Sequence, residues 1–424
     1  MTTTEERAFI QPTLFSRELV YDALRGFAIL GIFLANVWAM GFPWMEELFD
    51  TDQFDSPAGR AISSFTSAFV SGKFRSTLAI LFGIGLWLQY QKRKDVPGGW
   101  PGGYFKRTFF LLLIGLFHGI FLFWGDILAL YAAVSFVAAI MVTAAPIVQY
   151  RFIWGGLILT AILGLLIAAA MTSMEGQGGM SWSPVSSERL ISAYGSGTLA
   201  NQIEMNMTLY GVNLQQAAFS LPMLGPLFLI GFWMARTKAL TDPGWHRPEF
   251  RRLVVIALAV GVPANLAALA FLRQGVPLSY YYLIEFLFAP FLAVGYMAAV
   301  AMVCKWRPSA SIVQMLSKVG RVALSVYLMQ SLLGCVIFNS WGLGLYNQLQ
   351  PLQTYWVVLA VWTINITFAI LWLRRYAMGP VEWLWRSAVE GRRAPLTIRE
   401  AEAAKRLAPS AVSMPKTDPV RFEL

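Results

Sequence analysis

Apolar residues run along this chain in blocks of about twenty, and polar residues collect between the blocks. A helix of about that length crosses the hydrocarbon core of a bilayer. The pattern therefore predicts spans near 19–40, 62–90, 107–124, 127–145, 152–171, 214–235, 252–272, 281–303, 320–339 and 354–373. The expected class is all-α, a polytopic membrane bundle of about ten transmembrane helices occupying residues 1–386. An outer loop is expected near 172–213, rich in Gly and Ser and suited to a lid or a short amphipathic helix. Residues 387–424 read as a cytoplasmic tail, a charged helix fraying into a partly disordered end around Pro409, Pro415 and Pro419.

Between the blocks the cations are unevenly shared. With the amino terminus inside, the inward loops carry seventeen Lys and Arg residues, and the outward loops hold only Arg60, Arg189 and Arg273. That bias predicts both termini in the cytoplasm. The second block is too long for one simple helix, and SGKFRSTLAI places Gly72, Lys73 and Arg75 near its middle. A broken or re-entrant segment lining a polar cavity is the expectation there.

Composition agrees with the pattern: 57% of the 424 residues are hydrophobic and 13% charged. The formal net charge of +10 does not signal nucleic-acid binding, because the cations recur in short clusters between apolar runs instead of forming one stripe. The first apolar segment follows a polar arm and holds Asp22 and Arg25, so it reads as an uncleaved first span. The two cysteines, Cys304 and Cys335, fall at opposite faces of this layout, too far apart for a disulfide. Two separated histidines and two separated cysteines offer no metal cluster.

Polar groups inside spans are the candidates for chemistry, since desolvation must be compensated by a partner or by water. His118 sits at the centre of RTFFLLLIGLFHGIFLFWGD. Arg107 lies roughly 16 Å before it along a helix axis, and Asp126 follows at the outward mouth. A near-neutral imidazole suits general-base work on a hydroxyl or amine; an interhelical hydrogen bond is the plainer alternative. Asp126 either folds back on His118 through a turn at Trp124–Gly125 or caps the next helix. Asp22 and Arg25, three apart, can pair on one face as a structural bridge or a ligand contact. The ninth span carries Arg321, Ser325, Tyr327, Gln330 and Ser331, with Gln330 deep enough to need a polar partner. Glu382 could pair with Arg386 in an interfacial helix anchored by Trp383 and Trp385. Gly31, Ala35 and Ala39, like the FGIG at 82–85, read as packing positions.

RELVYDALRGFAILGIFLANV, KFRSTLAILFGIGL, the segment from Arg107 through GDILALYA, GRVALSVYLMQSLL and GPVEWLWR together resemble the YeiB-like bacterial membrane proteins, a family known by a domain of unknown function. The resemblance covers most of the chain and implies a bacterial inner-membrane location. An Arg, ten residues and then His is also similar to the signature of the membrane acyltransferase-three proteins. LRGFAIL resembles the first span of those enzymes and of the lysosomal heparan glucosaminide acetyltransferase.

That second resemblance implies transfer of an acyl group from cytoplasmic acyl-CoA, acetyl-CoA for instance, to an acceptor reached from the opposite face. It places Arg107 near the donor and His118 as the base, with Asp22 and Arg25 matching the first-span polar pair. In that scheme Asp126 assists the base, and Arg25 and Arg321 join Arg107 about the donor. Lys73, Arg75 or Gln330 would stabilise the oxyanion, and Asp22, Gln330 and Tyr327 would meet substrate. The expected partners are the lipid bilayer, the donor and the acceptor, with a homo-oligomer open. A small-molecule transporter or channel competes with this reading, because broken helices and buried charges serve transport equally well. A non-catalytic sensor or scaffold of the same fold is a third.

Overall fold

The computed structural model describes residues 16–43, 56–175, 185–274 and 278–407. Within them the chain is helical, and no β-strand occurs among the described residues beyond one isolated bridge, Tyr376–Thr397. Helix α1 is Arg17–Gly41, started by Ser16, whose hydroxyl accepts from the Leu19 amide at 3.1 Å. Helices α2 (Pro57–Phe65) and α3 (Lys73–Arg93) flank a π turn, Thr66–Val70. Helices α4 (Gly102–Phe121) and α5 (Leu128–Met141) form a hairpin, followed by α6 (Pro146–Glu175) and the single turn α7 (Ser187–Leu190).

Helix α8 (Leu199–Arg236) is the longest, and α9 (Pro248–Ile256) runs through a π turn into α10 (Val262–Arg273). Then come α11 (Leu278–Trp306), α12 (Ser311–Arg321), α13 (Ala323–Phe338), α14 (Pro351–Trp372), α15 (Pro380–Glu390) and α16 (Ile398–Leu407).

Eight helices among the described residues are long and apolar enough to cross a membrane. The other two expected spans differ. The ninth, predicted as one helix over 320–339, is a pair, α12 and α13, meeting at 85°. The fourth, α5, has 14 residues, about 21 Å of helix against a core of about 30 Å. Much of the expected loop at 172–213 is also helical: α8 begins at Leu199, where Thr198 and Asn201 complete a capping box. Its first turns bury Gln202 and Asn206, which is why this polar stretch is not a free loop. Residues 176–184 lie outside the described part, as do 408–424 of the tail. The tail after α15 folds back on α15 and the segment before it, with the Ala377 amide donating to the Leu396 carbonyl at 2.9 Å and Trp383 Nε1 to the Ala394 carbonyl at 2.9 Å.

Burial divides the spans. Two thirds of the apolar window of α1 is buried (67%) against 11% in α6, so α1 is central and α6 presents its sides to lipid. Two close crossings hold the centre. Gly26 of α1 and Gly320 of α12 face each other's backbones: a methyl on Gly320 would overlap the Asp22 carbonyl, and one on Gly26 the Leu316 carbonyl. Gly83 of α3 and Gly231 of α8 meet the Phe228 and Ile80 carbonyls in the same way. With lipid as apolar as the side chains, such backbone contact supplies the packing attraction between helices. Within the FGIG stretch Gly83 is therefore a packing position, as expected, whereas Phe82 and Gly85 line a cavity.

Candidate functional site

Helix α4 turns one stripe, Arg107, Leu111, Gly115 and His118, towards the interior; residues three, four and seven apart share a face. Gly115 lets the start of α5 approach until a methyl there would overlap the Ala129 amide. That proximity brings Asp126 back over His118. The Asp126 carboxylate does both things the sequence left open: Oδ1 is 2.8 Å from His118 Nδ1, and Oδ2 accepts from the Ala129 amide at 2.9 Å in the first turn of α5.

The other ring nitrogen, Nε2, is 2.8 Å from Ser331 Oγ on α13. Both His118 and Asp126 side chains are fully buried. A carboxylate can only accept, so Nδ1 carries the proton in the neutral ring and Nε2 is left to accept from the serine hydroxyl. The Tyr327 ring lies on His118 with centroids 4.7 Å apart. Its hydroxyl approaches the Ile127 backbone without completing a hydrogen bond. Tyr210 covers Gly119 on the other side.

A cavity of about 330 Å³ is lined by Arg25, Arg107, Arg321, Glu382 and Trp385 at the basic end of the bundle and by Ile127, Tyr131 and Tyr327 elsewhere. It reaches the cluster only through Tyr327, and His118, Asp126 and Ser331 do not line it. The volume is within the range of small-molecule sites. Arg107 lies flat on Trp385, 3.9 Å from the ring centroid, and its carbonyl accepts from Trp385 Nε1 at 3.0 Å. Its charged neighbours are Arg25, Arg386 and Arg93. Arg25 is paired with Asp22 at 2.8 Å. Cations gathered at the mouth of a cavity make an anion site.

Glu382 does not pair with Arg386, which instead holds Glu390 at 2.7 Å. The start of α13 lacks a side-chain cap of its own, and Glu382 supplies it from α15. Its carboxylate accepts from the Leu324 amide at 2.7 Å, the Ser325 amide at 3.1 Å and the Ser325 hydroxyl. The exposed amides and partial positive charge of a helix start favour a carboxylate there. Glu382→Ala leaves three donors unmatched and is expected to lower stability by about 1–3 kcal/mol, read as an earlier thermal transition in detergent.

Burial pushes the Glu382 carboxyl up from its ordinary 4.5, against the hydrogen bonds that favour the charged form. With its folded-state value raised, the associated stability is greatest below pH 4.5 and falls as pH rises through the raised value. Melting temperatures across pH should lose that slope in Glu382→Gln.

Four expected site residues lie elsewhere. Asp22 serves Arg25 and does not line the cavity. Gln330 is buried and donates to the Ile29 carbonyl of α1 at 3.2 Å, a link between helices. Lys73 and Arg75 belong to a second cluster, at the break in the second span. Gly72 adopts φ +75° and lies against the Glu285 carboxylate. Lys73, fully buried, donates to the Ser67 carbonyl at 2.8 Å. Arg75 and Glu285 share the wall of a separate cavity of about 240 Å³ with Thr160 and Phe286. Glu285 was findable, as the one acid in the apolar run 281–303. Ser331 carried no signal of its own as a partner for His118, since the two are 213 residues apart. Among the described residues no group of three His, Cys, Asp or Glu side chains is placed to hold a metal ion.

Fold and site together define a multi-pass helical membrane protein with a buried His–Asp–Ser cluster beneath a cation-mouthed cavity. The match to the family model described as "Protein of unknown function (DUF418)" covers residues 234–392. YxaH of Bacillus subtilis (strain 168) is 30% identical over 400 residues, 89% of this chain and 96% of that protein. YeiB of Escherichia coli (strain K12) is 30% identical over 414 residues, 92% of this chain and 98% of that protein. Both relatives are described as uncharacterised. The chain belongs to this YeiB-like DUF418 family. No solved structure matches it.

Proposed function

We propose that the protein is an acyltransferase of the bacterial cytoplasmic membrane. In this reading it takes an acyl group from cytoplasmic acyl-CoA at the basic end of the bundle and passes it to a nucleophilic acceptor arriving from the opposite face. One observation carries the reading: the cavity that opens among Arg25, Arg107 and Arg321 ends on Tyr327, in contact with the His118 ring.

The donor's phosphates and nucleotide stay at the cavity mouth, where Arg107, fixed by Trp385, and Arg321 supply charge and donors. The cavity is of a size for the acyl-pantetheine arm and leaves the nucleotide outside. His118, its tautomer set by Asp126, presents a lone pair at Nε2 for the proton of an attacking group. Enclosure excludes competing water.

Acetyl-CoA is expected to raise the melting temperature of the purified protein, since a ligand bound only to the folded state stabilises it by about 2.7 kcal/mol at a hundred times its Kd. Arg107→Gln should abolish most of the shift and His118→Ala should keep it. A wild-type protein indifferent to acetyl-CoA, CoA and longer acyl-CoAs would remove the donor from the scheme.

The transporter reading has its own support in the second cluster. Ionisable groups at the break of a span mark ion and substrate paths in membrane proteins, and Lys73, Arg75 and Glu285 stand at such a break. In that case Glu285→Gln would impair function while acetyl-CoA left the melting temperature unmoved.

A further inference from the structure

We propose that Ser331 is the nucleophile of this site, so that acyl transfer runs through an acyl-serine intermediate; the inference rests on the acyltransferase reading above. Three side chains from three parts of the chain meet in one order. Asp126 Oδ1 accepts the hydrogen bond of His118 Nδ1–H at 2.8 Å, and Nε2 faces Ser331 Oγ at 2.8 Å. These are the distances at which an imidazole can draw the proton from a serine hydroxyl while a carboxylate stabilises the cation that forms.

The alternative partner of the hydroxyl is poorer. On an α-helix a serine can return its hydrogen bond to the carbonyl four residues back, and here that distance, to Tyr327, is 3.5 Å. The serine hydrogen is therefore better directed at the ring. A purely structural pair would also be served by a neutral partner, whereas this ring meets a side-chain carboxylate with no exposed surface. Burying a carboxylate in a membrane protein is costly, and its return in this arrangement is the fixed tautomer.

Tyr327, one turn before Ser331 on α13, forms the end wall of the cavity and touches the imidazole. Its hydroxyl is buried without a hydrogen-bond partner. Ser331 does not itself line the cavity; in this proposal the thioester passes the Tyr327 side chain to reach it, and the Tyr327 hydroxyl is a donor for the oxyanion formed there.

The chemistry balances without a further reagent. Ser331 Oγ bonds to the thioester carbonyl carbon as its proton passes to His118 Nε2. The tetrahedral oxyanion collapses, the carbon–sulfur bond breaks, and the thiolate leaves as CoA thiol with the His118 proton. In the second half an acceptor hydroxyl or amine gives its proton to His118 and attacks the serine ester. Ser331 leaves and recovers that proton.

The test uses the full-length protein in nanodiscs with acetyl-CoA labelled in the acetyl group and no acceptor, quenched in acid at short times. Wild type should gain up to one acetyl group per chain, mapped by mass spectrometry to Ser331. Ser331→Ala and Asp126→Asn should gain none, with Ser331→Ala still stabilised by acetyl-CoA. An unlabelled wild type that nevertheless binds acetyl-CoA overturns the nucleophile and leaves direct transfer with His118 as base. A Ser331→Ala protein labelled as fully as wild type does the same.

If acetyl-CoA does not bind at all, the donor assignment fails, and a fluorophosphonate probe judges Ser331 separately. Labelling of wild type at Ser331 that Asp126→Asn reduces more than tenfold upholds an activated serine; equal or absent labelling overturns it.

Discussion

His118→Ala is expected to reduce acetyl-CoA-dependent acyl transfer by two to four orders of magnitude, the usual size of a lost general base, roughly 10²–10⁴. The measurement is release of CoA thiol in membranes containing the native acceptor. Three contacts end at the ring, so the substitution also leaves the Asp126 carboxylate without its closest partner. Asp126→Asn separates the two effects. It is nearly the same size and can still accept from the Ala129 amide, yet its amide can donate to the ring and reverse the tautomer. In a serine protease the equivalent change costs about 10⁴ in rate with geometry intact. A comparable fall here, with an unchanged thermal transition, would place the defect in chemistry. Full activity in either variant contradicts the assignment.

The largest effect on folding is expected from Gly320→Leu. The Gly320 Cα faces the Asp22 carbonyl and the Gly26 amide so closely that even a Cβ has no room. Relief requires α12 to move off α1 as a body. Overpacking a core commonly costs about 1–3 kcal/mol, and here the obstacle is backbone on both sides, so the upper end applies. Asp22 and Arg25 lie within one turn of this crossing, and Arg25 and Arg321 both line the cavity. Loss of the crossing should therefore weaken acetyl-CoA binding along with the detergent melting temperature. Gly320→Ala should do the same to a smaller degree, and a Gly320→Leu protein that melts like wild type would show that the two helices are not held together there.

Most of the bundle was legible because the solvent imposes it. Apolar blocks of membrane length admit only helices, and eight of the ten expected spans meet that length in the structure. The two departures have local causes. The α12–α13 bend places an amphipathic piece before Ala323, with a helix start that Glu382 caps from 58 residues away. Helix α5 is shortened because the turn that precedes it is spent on returning Asp126 to His118. Neither cause is visible in a hydropathy pattern, which carries no information on tertiary partners.

The site divides in the same way. His118 and Arg107 stood out because charge and imidazole are conspicuous in an apolar run, and their shared stripe follows from helical geometry. Asp126 was ambiguous in sequence because its two roles need different distances, and the structure satisfies both with two oxygens of one carboxylate. Lys73 and Arg75 were equally conspicuous, but the left-handed Gly72 and the π turn before it rotate them towards Glu285. Gln330, deep in a span, needs a polar partner, and its amide finds the Ile29 carbonyl. Ser331 is the opposite case: serine is tolerated anywhere in a span, and its meaning appears only once α13 is laid against α4.

Whether the cavity at the basic end delivers an acyl thioester to the His118 cluster is decided by a cryo-electron microscopy map of the nanodisc-embedded protein with a non-hydrolysable acetyl-CoA analogue. Density for the nucleotide is expected against Arg107 and Arg321, with the pantetheine arm running inward to Tyr327. A cavity filled by a lipid chain, with no analogue at the arginines at saturating concentration, would contradict it.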